Sequence, residues 1–185
     1  MEPRAIESNI LLRRYYDYDT TVTSSGLSVH GEYPFLGAPP DGIVDEGGEQ
    51  GLLEAKCPQS KENMTPEEVC ADDKFCSAMV GNVVTLKRKH AYYYQIQGQL
   101  GVIGHSWCEF VIFTNAESLA KSISVERIHF DAKFWEEYLL PGLLYFYTRA
   151  VVPELLTSRV KRFNKLYSED SRYLSYPEYL KAAQS

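Results

Sequence analysis

The sequence lacks the long apolar segment that a membrane-spanning helix requires. Its longest apolar runs, such as residues 142–147, are far shorter than the ~18 residues needed to cross a bilayer. The first residues are polar and charged and do not resemble a secretory signal, so we expect an intracellular protein, in the nucleus or the cytoplasm. With 44% hydrophobic and 24% charged residues, the composition excludes disorder, collagen and coiled coil as descriptions of the whole chain.

Paired metal-binding cysteines are also missing. The four cysteines form no Cys-x-x-Cys pair, and no histidine lies at zinc-ligand spacing from them. We therefore expect free thiols in a reducing compartment. The net charge of −6 disfavours nucleic-acid binding through overall charge, although local basic patches can still attract DNA.

The order of predicted elements favours a single sheet flanked by helices. Residues 20–26, rich in Thr, Ser and Gly, are interpreted as a linker. Helices are predicted over residues 2–17, 90–102 and 131–147, the last interrupted or kinked at Pro141, with a short helix after Pro66 in an otherwise loop-like region. Strands are predicted over residues 27–30, 33–36, 42–45, 52–56, 111–114 and 123–130. The pattern predicts an α/β (α+β) fold with a mixed sheet.

The most informative stretch is a predicted hairpin that carries two carboxylates. Gly47-Gly48 marks its tip, and Asp41 and Glu54 lie equally far from that tip. Directly opposed residues of an antiparallel pair have Cβ atoms about 5 Å apart, where like charges repel unless a proton or cation lies between them. Alternation along the second strand places Glu54 and Lys56 on one face and Leu53 and Ala55 on the other.

This arrangement is typical of a metal-dependent hydrolase. Asp41, Glu54 and the backbone carbonyl of Ala55 would hold Mg²⁺ or Mn²⁺, and Lys56 would hold and polarise a water beside it. The other interpretation is a solvated surface with an ordinary carboxylate–lysine pair, because Glu-x-Lys alone is very common. The opposed Asp41 adds support for the metal site, and both interpretations stay open at this point.

Three stretches, residues 34–44, 51–58 and 93–99, resemble the YqaJ-like viral recombinase, or phage lambda-type exonuclease, family of PD-(D/E)xK nucleases. Residues 107–111 and 125–128 are also similar to it. The resemblance implies a restriction-endonuclease-like core and divalent-metal-dependent hydrolysis of DNA, as an exonuclease on duplex ends in recombination or end resection. It further implies a homo-oligomer, by family resemblance a trimer, and a single-strand annealing protein as partner.

The resemblance assigns roles residue by residue. Asp41 and Glu54 match the metal ligands, Lys56 matches the catalytic lysine, and Gln95 matches the glutamine that helps place the water or the phosphate. Glu2, in Glu-Pro-Arg-Ala, resembles a further carboxylate at the same metal cluster.

The sequence departs from the family pattern at Pro39, where the family usually has serine. The family also has a helix and an Arg/Ser-bearing segment upstream of its first glutamate, so the N-terminal part of the family fold is expected to be missing here. We predict a nuclease-like domain over residues 1–152 and a C-terminal helical extension over residues 153–185.

The predicted helix after His90 adds candidate DNA contacts. Tyr92, Gln95 and Gln99 share one of its faces. The basic run before it, Lys87, Arg88 and Lys89, can contact phosphates. Together, Lys87, Arg88, Lys89, Tyr92 and Gln99 are candidate DNA-binding residues; a solvated charge run and an ordinary amphipathic surface are the alternatives. For the whole chain, the alternatives to an exonuclease are an endonuclease or junction-cleaving enzyme of the same fold and an inactive DNA-binding module.

Overall fold

A five-stranded mixed sheet forms the centre of this computed structural model, which describes Ile10 and residues 20–164. The described strands are β1 Thr20–Ser24, β2 Ser28–Val29, β3 Gly37–Ala38, β4 Gly42–Glu46, β5 Glu49–Lys56, β6 Ser77–Val80, β7 Val83–Leu86, β8 Trp107–Phe113 and β9 Ile123–His129. Those of the sheet lie in the order β1-β4-β5-β8-β9; β5 and β8 are parallel and the other neighbours antiparallel. The predicted α/β (α+β) class is confirmed.

The hairpin of β4 and β5 has the predicted register. Gly42 pairs with Leu53 and Glu46 with Glu49, so the tip falls at Gly47-Gly48. Both glycines have positive φ, 62° and 90°, which a two-residue hairpin turn requires and which side chains disfavour. The turn chemistry therefore fixes which residues face each other at the far end of the hairpin.

A tryptophan locks β5 against β8. The Trp107 ring lies directly over Gly51, where an added Cβ would come within 2.3 Å of ring atoms. Arg127 stacks on the ring, 4.1 Å from its centroid, and Trp107 Nε1 donates to Glu49 Oε1 at 3.1 Å. Since these contacts surround the ring, it has little room to move.

We expect Gly51→Ala to destabilise the protein by roughly 3 kcal/mol or more, because the new methyl group overlaps a buried aromatic ring. Gly31→Ala is the matched control: a Cβ at Gly31 meets nothing within 4 Å, so its effect should stay within about 0.5 kcal/mol. Chemical denaturation of both variants measures the difference. Equal stability of the two would contradict this packing.

The two faces of the sheet differ in polarity. One face contains an apolar cluster that includes the predicted inward residues Leu53 and Ala55, both 0% exposed. The opposite face bears Glu54 and is covered by α2, Ala91–Ile103. Ile96 and Leu100 of α2 are fully buried.

The ends of α2 have recognisable caps. His90 Nδ1 accepts the Tyr92 amide at the N-terminus, and Gly104 closes the C-terminus in the left-handed conformation with φ 86°. These caps set the helix one residue later at each end than predicted. Between residues 20 and 131, the other helices are the 3₁₀ turn Gln59–Lys61, α1 Pro66–Val69 and α3 Leu119–Ser122.

Several local predictions were wrong. Residues 20–26 are not simply a linker, since Thr20–Ser24 pairs with β4 as the edge strand β1. Residues 33–36 form a turn, and the short strand is Gly37–Ala38 instead. The region interpreted as loop contains β6, which pairs with β7 as a separate hairpin.

From Ala132 the chain is helical through both prolines. The segments are α4 Ala132–Phe134, a π segment Trp135–Leu139, α5 Leu140–Phe146, a π segment Tyr147–Val151, α6 Val152–Thr157 and, after Ser158, α7 Arg159–Phe163. Each π segment ends two residues before a proline, Pro141 or Pro153. A π turn shifts the hydrogen-bonding frame by one residue, which accommodates the missing N–H.

The described chain divides into two compact units after Asp131. This division does not test the predicted limits of a nuclease domain, which stay a prediction. Most of the predicted helix over residues 2–17 lies outside the described residues. None of the described helices is long and apolar enough to cross a membrane.

Candidate active site

Asp41 lies against the stretch of β5 that carries Glu54, at the open end of the β4–β5 hairpin. Asp41 immediately precedes β4, and its Oδ2 accepts the amide of Ala55 at 2.8 Å. Its own amide donates to Leu53 at 3.1 Å. These two bonds on either side of Glu54 hold the Asp41 backbone and carboxylate against that stretch of β5.

Lys56 lies one alternate step beyond Glu54 on β5 and donates a hydrogen bond to Glu54 Oε1. Burial lowers the pKa of Lys56, but the hydrogen bond to Glu54 and the charges of Glu54 and Asp41 outweigh it, so the pKa is raised. The ammonium is therefore charged at neutral pH. Its side chain is 20% exposed, so it can still reach a molecule in solution.

Two glutamines of α2 hold the other positions around Glu54. Gln95 Nε2 donates to Oε1 at 2.6 Å and Gln99 Nε2 donates to Oε2 at 2.8 Å. They are four residues apart and so share one face of α2. Gln97 points elsewhere, donating to the His129 carbonyl and accepting the Asp131 amide. Glu54, only 1% exposed, is thus a buried carboxylate surrounded by donors.

The contact between Gln99 and Glu54 has a cost. Within the described chain, Gln99 Oε1 is a buried oxygen without a hydrogen-bond partner. Such an atom costs about 1–3 kcal/mol. Rotating the amide would turn this oxygen toward the Glu54 carboxylate and replace attraction with repulsion. Gln99, a candidate DNA contact, is 4% exposed and reaches Glu54 rather than the surface.

The Cys108 thiol is buried in the strand next to the one that carries Glu54. Burial raises the pKa of Cys108 well above its usual value, and the charges of Glu54 and Asp41 add to the rise. Cys108, in the neighbouring strand β8, pairs with Leu52 of β5. The charges of both carboxylates therefore reach the Cys108 thiol.

The donor atoms suit a hard divalent cation. In the Asp41 carboxylate, Oδ2 accepts a hydrogen bond from a described residue and Oδ1 accepts none. In the Glu54 carboxylate, Oε2 accepts a single one. Each carboxylate therefore keeps lone pairs for an ion. The described chain offers no group of three or more His, Cys, Asp or Glu side chains for a metal. The further ligands predicted from the sequence, the Ala55 carbonyl and Glu2, stay predictions, and Glu2 lies outside the described residues.

The basic run before α2 is tied to its surroundings. Lys87 Nζ donates to the Asp73 carbonyl at 2.6 Å, and Arg88 pairs with Glu126 at 2.9 Å while lying 4.9 Å from the Tyr93 ring centroid. Lys89 is exposed and makes no ion pair with a described residue. The DNA-binding role of these three side chains stays a prediction.

The sequence did not reveal the structural role of Glu126. It accepts the Leu86 amide at 2.6 Å as well as Arg88, and so fixes the entry to α2 against β9. No local signal could have revealed this, because the partners are about forty residues apart and meet only when the sheet is assembled.

This mixed sheet, with Asp, Glu and Lys at one end of a hairpin, has the fold of an alkaline exonuclease. The crystal structure of an alkaline exonuclease (LHK-Exo) from Laribacter hongkongensis is 24% identical, with a TM-score of 0.56 over 87% of this chain and 71% of that one. The crystal structure of LHK-Exo in complex with dAMP is 25% identical, with a TM-score of 0.53 over 86% and 73% of the two chains.

Residues 9–106 match the YqaJ-like viral recombinase domain. The match covers more than half of the chain, which therefore belongs to this family. The family resemblance drawn from the sequence motifs is confirmed. A comparison with curated proteins gave no match.

Proposed function

We propose that this protein is a divalent-metal-dependent deoxyribonuclease that degrades duplex DNA from its ends. The observation that carries the proposal is the hydrogen bond from the Ala55 amide to the Asp41 carboxylate, next to Glu54, whose own carboxylate accepts the Lys56 ammonium. Membership of the recombinase family and the fold shared with an alkaline exonuclease support DNA as the substrate and exonuclease as the activity.

Asp41, Glu54 and the Ala55 carbonyl would hold the ion, Mg²⁺ or Mn²⁺. When bound, it supplies neutralisation of the phosphoryl oxygens and activation of water. Glu54 accepts three hydrogen bonds, two of them from side-chain amides, and these fix the orientation of its carboxylate. Lys56 Nζ can donate to the attacking water and stabilise the charge that develops on the phosphate oxygens.

Specificity is expected for the backbone and ends of DNA rather than for sequence. Nothing in the described chain forms a long basic helix for groove readout, and the basic run Lys87–Lys89 is short and partly paired. We also propose that the protein assembles as a homo-trimer and acts with a single-strand annealing protein, as the family resemblance implies.

End-dependent hydrolysis distinguishes this proposal from its rivals. With Mg²⁺, the chain should degrade a labelled linear duplex progressively and leave covalently closed circular DNA intact, and EDTA should stop the reaction. Nicking of the circle would favour an endonuclease of the same fold. Gel shifts of the duplex with no hydrolysis in Mg²⁺ or Mn²⁺ would show a binding module and overturn the proposed activity.

A further inference from the structure

Tyr92 gives the Lys56 ammonium a second contact. The Lys56 Nζ atom lies 4.9 Å from the centroid of the Tyr92 ring, within the range of a cation–π interaction. The same ammonium donates to Glu54 Oε1. It therefore lies between a carboxylate of the hairpin and an aromatic ring of α2.

The Tyr92 ring is itself held in place. Its backbone amide donates to His90 Nδ1 at 3.2 Å, within the helix cap. The centroid of the Tyr92 ring lies 4.7 Å from that of the His90 ring and 6.2 Å from that of the Phe110 ring. Phe110 is buried in β8. A ring fixed on two sides offers a flexible lysine a defined surface.

A lysine side chain is flexible, so a second contact is needed to hold its ammonium in one place. Its ammonium is a point charge on a four-carbon stem with many rotamers, so a single hydrogen bond leaves it free to swing around Glu54. An aromatic face attracts the ammonium without neutralising it, unlike a second carboxylate. The ammonium would then keep donor hydrogens for a water or a phosphate oxygen.

We infer that Tyr92 is a positioning residue that holds Lys56 in its working orientation through the face of its ring. This inference deepens the proposed function and rests on it. It replaces direct contact between Tyr92 and DNA, which the sequence suggested. The phenolic hydroxyl is not required, whereas the aromatic face is.

Two substitutions separate the ring from the hydroxyl. Tyr92→Phe keeps the face and should retain kcat within about twofold, whereas Tyr92→Leu loses the face and should lower kcat roughly tenfold. The KM for duplex DNA should stay unchanged in both. Tyr138→Leu, a 55% exposed tyrosine remote in sequence, is the matched control. If Tyr92→Leu lowers the melting temperature, Tyr92→Met takes its place.

An NMR measurement on the metal-free protein tests the contact without activity. In protein labelled with ¹³C-lysine, the ring current should shift the Lys56 ε-methylene resonance, which Lys56→Met identifies by its disappearance. The shift should persist in Tyr92→Phe and vanish in Tyr92→Leu.

Several outcomes would overturn the inference. One is a raised KM with unchanged kcat in both Tyr92 variants, which would indicate a DNA contact. Another is wild-type kcat, or an unchanged Lys56 resonance, in Tyr92→Leu. If wild-type protein hydrolyses no DNA, the proposed function fails, and the Lys56 resonance still decides whether Tyr92 holds the ammonium.

Discussion

Glu54→Gln should abolish hydrolysis, lowering kcat by about 10³-fold or more, and should weaken Mn²⁺ binding by more than about 100-fold. The substitution keeps the size of the side chain but removes the charge. It also turns an amide group toward Lys56, Gln95 and Gln99, all of which donate to Glu54. Calorimetric titration with Mn²⁺ and a duplex-degradation assay measure the two effects.

Glu117→Gln is the matched control for Glu54→Gln. Glu117 is an exposed glutamate whose ion pair with Lys121 is solvated, so the same chemical change should leave both Mn²⁺ binding and hydrolysis unchanged. Full Mn²⁺ affinity in a folded Glu54→Gln protein would show that the ion binds elsewhere. That result would remove Glu54 from the metal site.

Lys56→Met should separate chemistry from metal binding. We expect kcat to fall about 10²–10³-fold, because the ammonium proposed to stabilise the developing charge is gone. Mn²⁺ should bind at least as tightly as in the wild type, because a positive charge no longer contacts Glu54 Oε1. Methionine preserves much of the apolar stem, so the fold should persist.

Lys121→Met, at a surface ion pair, controls for the loss of one positive charge. Parallel titrations and assays then give a contrast: Glu54→Gln loses binding and hydrolysis together, whereas Lys56→Met loses hydrolysis alone. Weaker Mn²⁺ binding in Lys56→Met would mean that the lysine supports the metal site rather than the reaction.

The hairpin was predictable because its information is local. The Gly47-Gly48 tip fixes the pairing, and strand alternation then assigns Leu53 and Ala55 to the core and Glu54 and Lys56 to the other face. The same holds for α2, whose apolar spacing and capping glycine are visible in the sequence. These two elements carry Glu54, Ala55, Lys56, Tyr92, Gln95 and Gln99, and Asp41 immediately precedes β4.

The missed strands carry weaker signals. The edge strand β1 is polar and rich in Thr and Ser, and it pairs on one side only, so its composition resembles a linker. The β6–β7 hairpin does have a signal, a Gly81-Asn82 tip between Val80 and Val83, which could have been used. The helix through Pro141 depends on a π turn, which no simple pattern predicts.

The contacts that refine the site depend on how α2 packs across β5. Helical spacing indicates that Gln95 and Gln99 share a face, but not that both reach the same carboxylate. Tyr92 shares that face, yet its position beside Lys56 follows from the assembled sheet. Sequence motifs therefore indicated the candidate residues, and the fold shows which side chains surround Glu54 and Lys56.

Anomalous diffraction from crystals of the full chain soaked in Mn²⁺ tests the metal site most directly. We predict a peak between the carboxylates of Asp41 and Glu54, with ligand distances of about 2.1 Å. The Ala55 carbonyl should face the same ion, and Lys56 should stand beside it. A Mn²⁺ peak that neither carboxylate touches, with Asp41 and Glu54 placed as described here, would contradict the proposed metal-dependent chemistry.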